Sequence, residues 1–191
     1  MRYAVVTILL VVSTCGLAQS VTLEGVNGER LGQQRTAMLV LGGWAVGNIG
    51  LGLALRSQTE GSTRRFHEMN ALWNTVNLGI AAFGYYAALR EPATLEAWES
   101  FAKQRSFAKV LVFNAGLDVG YVLGGLYLTE RARRPDVDRD QLRGYGRSIV
   151  LQGAFLFVFD LANYFIATGR EADYRLLFGA VGDGLGLQYT F

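Results

Sequence analysis

The stretch FNAGLDVGYVLGG, residues 113–125, sets an aspartate at the centre of a segment that is otherwise apolar and free of proline. It belongs to the run Phe107–Leu128, one of four runs of about twenty residues with almost no charge. The others are Thr36–Leu55, Met69–Leu89 and Ser148–Thr168. A hydrocarbon core about 30 Å thick needs about 20 helical residues to cross it. A water-soluble bundle would carry charge on every turn of its outer face, and these runs do not. The pattern predicts an all-α fold, an integral membrane four-helix bundle whose spans are those four runs.

Composition narrows the class further. A chain of 191 residues with 51% apolar residues is one domain by length. A net charge of +2 is too small for a nucleic-acid partner, and 16 of the 18 basic residues are arginines that flank the spans. Residues 1–18 read as a signal peptide: Arg2, an apolar core from Ala4 to Val12, and Gly16-Leu17-Ala18 before the cut. Cleavage there removes Cys15, the single cysteine, and leaves 19–191 as one four-span membrane domain. An uncleaved anchor or a lipoprotein are the alternatives. The loop 129–147 carries six arginines and the loop 56–68 three, so both are expected on the cytoplasmic side. That places the chain in a bacterial inner (cytoplasmic) membrane with both mature termini external.

The segment 90–106 reads as a short amphipathic helix at the external interface, or as an outward extension of the third span. Trp73-Asn74 with Asn77 in the second span parallels Phe159-Asp160 with Asn163 in the fourth. Asn48-Ile49-Gly50 in the first parallels Asp118-Val119-Gly120 in the third. A duplicated helical hairpin is one reading of these matches and chance is the other.

Residues at i, i+4 and i+7 share a helix face. Asn114, Asp118 and Tyr121 obey that spacing, as do Asn70, Asn74 and Asn77; Gln152, Asp160 and Asn163 fall within roughly 80° of one another. Asn48 adds a polar group from the first span. Counted inward from the external ends, Asn48, Asn77 and Asp118 lie roughly 17–20 Å deep, near the midplane. Lipid satisfies none of them, so they are expected to converge inside the bundle. An aspartate at mid-span disfavours insertion by about 2.5–3.5 kcal/mol. Asparagines bonding across helices return about 0.6–2 kcal/mol per contact and serve as packing devices. The carboxyls of Asp118 and Asp160 go beyond what packing requires. Protonated, they donate to Asn, Gln or Tyr121; ionised, they hold a cation.

Gly116, Gly120 and Gly124, with Gly43 and Gly47 on the first span, form small-residue ridges suited to helix contact within the bundle or across a homodimer. A larger membrane complex is the other expected setting, besides the lipid bilayer itself. His67 is the single histidine and no lysine lies mid-span. No P-loop, dinucleotide fingerprint or nucleophile elbow is present, so neither an enzyme nor a cofactor is expected. The C-terminal segment begins as an amphipathic helix and is expected to pack, with GLGLQYTF, on the bundle mouth. Signal peptide, four spans, the WNxxN and FDxxN motifs and that tail together resemble small bacterial four-span membrane proteins classed as domains of unknown function. The resemblance implies no activity. The chain then reads as a structural or accessory subunit with a polar core. A proton, cation or small-solute transport unit using Asp118 and Asp160 is the alternative.

Overall fold

The computed structural model describes residues 22–181. Five helices follow in order: α1 (Leu23–Arg56), α2 (Gly61–Arg90), α3 (Ala97–Arg131), α4 (Arg139–Gly169) and the short α5 (Glu171–Val181). The signal-peptide assignment, Cys15 and the GLGLQYTF tail lie outside the described residues.

Local chemistry fixes the helix starts. The Thr22 hydroxyl accepts from Gly25 N at 3.1 Å, and Asp138 Oδ1 accepts from Gln141 N at 2.9 Å, each covering an amide the first turn leaves open. Gly61, which opens α2, has φ 55°, a left-handed conformation that favours glycine. The turn at 57–60 is therefore much tighter than the 56–68 loop read from charge, and the second interhelical loop shrinks to 132–138. Between α2 and α3, the segment 90–106 resolves as the outward extension: α3 runs unbroken from Ala97.

α1 packs along α2, α2 along α4, and α4 along α3, so α2 and α4 are the inner pair and α1 and α3 the flanks. We call the end where α5 begins the α5 end and the opposite one the turn end. Three helices, α1, α3 and α4, are long and apolar enough to cross a membrane. The four expected runs all fall in long helices, and α2 is the one that does not reach that apolarity. The physical reason lies in α2 itself, which devotes one face to Asn70, Asn74 and Asn77 and opens with Arg64, Arg65 and Glu68. At 30 residues, about 45 Å of helix, it still runs the thickness of the bundle between its neighbours.

The distribution of side chains is inverted relative to a water-soluble bundle. Buried apolar positions are mostly alanines, among them Ala45, Ala81, Ala115 and Ala167, whereas Phe83 is 75% and Val76 64% exposed. Asn70, Asn74, Asn77, Gln152 and Asp118 are buried. Apolar outside and polar inside is the arrangement hydrocarbon requires.

Glycine does bring helices together, though not where the ridges suggested. A Cβ added at Gly116, Gly120, Gly124, Gly43 or Gly47 would meet nothing within 4 Å, so those ridges are open. The close approaches occur at Gly125 and Gly146, where a Cβ on Gly146 would sit 2.5 Å from the Gly125 carbonyl oxygen. Gly52 meets α2 in the same way, with the His67 carbonyl 2.7 Å from the added carbon. A heptad face can be read from sequence; which of two glycine faces points inward depends on the partner helix.

Candidate functional site

Two polar clusters occupy the interior, and a third closes the α5 end. The first is a chain of amides joining three helices. Asn70 Nδ2 donates to Asn48 Oδ1 at 2.6 Å, and Gln152 Nε2 donates to Asn70 Oδ1. Trp44 Nε1 donates to Gln152 Oε1 at 2.8 Å, and the Asn48 amide turns back onto the Trp44 carbonyl at 2.8 Å. α1, α2 and α4 are thereby tied at one level. Asn74 Nδ2 donates to the Asn70 carbonyl at 2.8 Å, and Asn77 Nδ2 reaches Asn74 Oδ1 at 3.4 Å.

The second cluster is the carboxyl pair. Gly153 lets the backbone of α4 approach Asp118, its added Cβ falling 3.1 Å from the Asp118 carbonyl oxygen. Side chains tilt toward the N-terminus of their own helix. On antiparallel α3 and α4, Asp118 and Asp160 therefore lean toward each other, and the carboxyls come within hydrogen-bonding reach. They are 2% and 6% exposed, and Asp118 Oδ2 has no partner among the described residues. Two buried carboxyls in such contact form an arrangement that can hold a shared proton or a small cation.

Aromatic contacts seal both clusters. Trp44 stacks on Phe155 with ring centroids 3.8 Å apart and planes at 5°. Tyr121, 38% exposed, lies edge-on to Trp73 at 4.9 Å and so links α3 to α2. It packs there against a ring, outside the amide chain. Asn114 is half-buried and, among the described residues, joins neither cluster. Asn163 sits away from both, at the α5 end, where its carbonyl accepts from Gln33 Nε2 at 2.8 Å. The equal depth read for Asn48 and Asn77 is replaced by a register set at the turn, whereas Asp118, against Gly153 beside Gln152, stays near the level of Asn48. Asn48 lies nine residues before position 57 and Asn70 ten after position 60, so these two face each other.

Sequence reading missed the third cluster. Arg30, 1% exposed, bonds Glu91 and Asn27, and Lys103 Nζ lies 3.2 Å from the same Glu91 carboxylate. Ser100 Oγ donates to Asn27 Oδ1 at 2.6 Å and lies 2.7 Å from the Tyr174 hydroxyl. Gln104 Nε2 donates to the Ala167 carbonyl. Arg170 Nη1 donates to Gln33 Oε1 at 2.6 Å. Its one advance signal was the helical spacing of Asn27, Arg30 and Gln33 before the first apolar run. Burial lifts the Glu91 carboxyl, but the hydrogen bonds and charges of Arg30 and Lys103 outweigh it and hold the group below its usual value. Among the described residues no group of three or more His, Cys, Asp or Glu side chains is placed to hold a metal ion.

The family of unknown function DUF6992 matches residues 40–161. The chain belongs to that family. The DUF6992 match takes in the whole amide chain and both carboxyls, and ends before Asn163 and Arg170. No curated protein and no solved structure matches the chain.

Proposed function

We propose that this is a structural or accessory membrane subunit without enzymatic activity, whose polar interior fixes helix register. The observation that carries this reading is the amide chain. Its groups are spent on one another: Asn74 and Gln152 are 0% exposed, and Trp44, Gln152, Asn70 and Asn48 form one closed run of bonds across three helices. Such a run specifies a single arrangement of helices in a medium where apolar packing alone discriminates poorly. The setting we propose is a bacterial inner membrane, with the α5 end external. The open glycine ridge on α3 is left for a second copy or for a larger membrane complex.

One observation favours a second reading, a proton or cation relay. The contact between two buried carboxyls, Asp118 and Asp160, exceeds what register requires. The experiment that separates the two readings is Asp118→Asn with Asp160→Asn in reconstituted vesicles, with flux and thermal unfolding measured side by side. Amides keep shape and hydrogen bonding but do not titrate. Absence of flux in the wild type, with the double amide at least as stable, supports the accessory role. Wild-type flux that disappears in an equally stable variant overturns it in favour of the relay.

A further inference from the structure

Near the α5 end, residues of α1 and α4 line a lateral groove of about 530 Å³. Its two ends differ in chemistry. Val40, Phe159, Ala162 and Ile166 line the part that lies within the apolar runs, and Val40 and Ile166 are 50% and 55% exposed. One turn deeper on both helices lies the Trp44–Phe155 stack. At the mouth stand Arg170 and Glu29, with Arg170 Nε and Glu29 Oε2 3.8 Å apart. The Arg170 side chain is 10% exposed and Glu29 68%, so the cation is seated and its carboxylate partner is loose. A guanidinium offers five N–H donors, and among the described residues one is engaged, with Gln33.

We propose that this groove is a seat for a single phospholipid carrying a phosphate and a primary ammonium, a phosphoethanolamine headgroup. One acyl chain lies along Val40, Ala162 and Ile166. The phosphate takes free donors of Arg170, the side chain best shaped for phosphate. The ammonium replaces Arg170 as the partner of Glu29, so both charges at the mouth find a complement and neither is left against hydrocarbon. A groove of this volume falls in the range of small-ligand sites, and its two charged groups, Glu29 and Arg170, sit at the end that meets the headgroup layer. The inference rests on the membrane placement of α1 and α4, and is independent of the role given to the carboxyl pair.

Trp44 supplies the test. With Trp73→Phe and Trp98→Phe removing the other indoles, the protein is placed in phosphatidylcholine nanodiscs, and phospholipids brominated along one acyl chain are titrated in. Brominated phosphatidylethanolamine is expected to quench Trp44 at lower mole fraction than brominated phosphatidylcholine or phosphatidylglycerol. Arg170→Gln is expected to weaken that apparent affinity about tenfold, the loss of roughly one charge-assisted hydrogen bond. Glu29→Gln is expected to erase the preference over phosphatidylcholine, and Ala162→Phe to block quenching by filling the groove. Equal quenching by all three headgroups overturns the proposal, as does quenching untouched by Ala162→Phe. Should Arg170→Gln fail to fold, Glu29→Gln and Ala162→Phe decide alone, since both positions are exposed.

Discussion

Trp44 and Gln152 meet at 2.8 Å, indole N–H to side-chain carbonyl, across two helices that make few other close contacts in the bundle interior. The same glutamine donates to Asn70, so one residue holds α1 and α2 to α4. Gln152→Leu keeps the volume and leaves both Trp44 Nε1 and Asn70 Oδ1 without partners. A buried unsatisfied group costs about 1–3 kcal/mol. We therefore expect Gln152→Leu to lower unfolding free energy by about 2–4 kcal/mol in detergent or bilayer. Trp44→Phe retains the stack on Phe155 and should lose less. Equal stability of Gln152→Leu and wild type would show that the amide chain does not hold the helices.

The glycines offer a contrast between α4 and its neighbour α3. At Gly146 an added methyl meets the Gly125 carbonyl at 2.5 Å, and backbone yields poorly. Gly146→Ala should therefore destabilise by about 1–3 kcal/mol, the usual result of overpacking. At Gly120 the same change meets nothing, and alanine is the better helix former by about 1 kcal/mol. Gly120→Ala is expected to be neutral or stabilising in the monomer. Paired thermal unfolding curves check both, and a destabilised Gly120→Ala would place that ridge inside a contact between copies.

How much of this was legible beforehand differs from element to element. The four long helices and the inward placement of Asn70, Asn74, Asn77, Asp118 and Asp160 follow from the length of the apolar runs and a 100° step per residue. Which polar groups meet does not follow from depth counted at the outer ends, because α1 begins at Leu23, well before its apolar run, and that origin is misplaced. Counting from the 57–60 turn would have paired Asn48 with Asn70. The inward glycines were unreadable for a different reason: Gly124 and Gly125 are neighbours, and only the position of Val150 on α4 decides between them. The α5-end cluster escaped because Arg30 is far in sequence from Glu91 and Ser100, and nothing local marks an interfacial arginine for burial.

Glu91 makes the stability of that end sensitive to acid. Its carboxyl is held below the ordinary 4.5 by Arg30 and Lys103, against the opposing effect of burial. A group depressed in the folded state stabilises at pH above its unfolded value, and the contribution fades as pH falls through the folded one. Stability should thus be flat in this respect from neutral pH to about 5, and then fall below about 4.5. In Glu91→Gln that acid limb should flatten. An unchanged limb in the variant, followed by unfolding at a series of pH values, would assign the acid sensitivity elsewhere.

The ion pair itself predicts an asymmetry. Arg30 is 1% exposed and Glu91 21%, so the two charges are not equally desolvated. Removing the carboxylate leaves a buried guanidinium with Asn27 Oδ1 at 3.4 Å as its remaining described contact. Breaking a buried pair from one side typically costs about 3–5 kcal/mol. Removing the arginine leaves Glu91 still facing Lys103 at 3.2 Å, with part of its surface in water. Glu91→Leu should therefore be more destabilising than Arg30→Met. The double variant should recover part of the loss, because an apolar pair of similar volume carries no uncompensated charge. Unfolding free energies of the two single variants and the double one close the cycle. A larger loss for Arg30→Met than for Glu91→Leu would mean that the arginine acts through its stem and packing rather than through its charge.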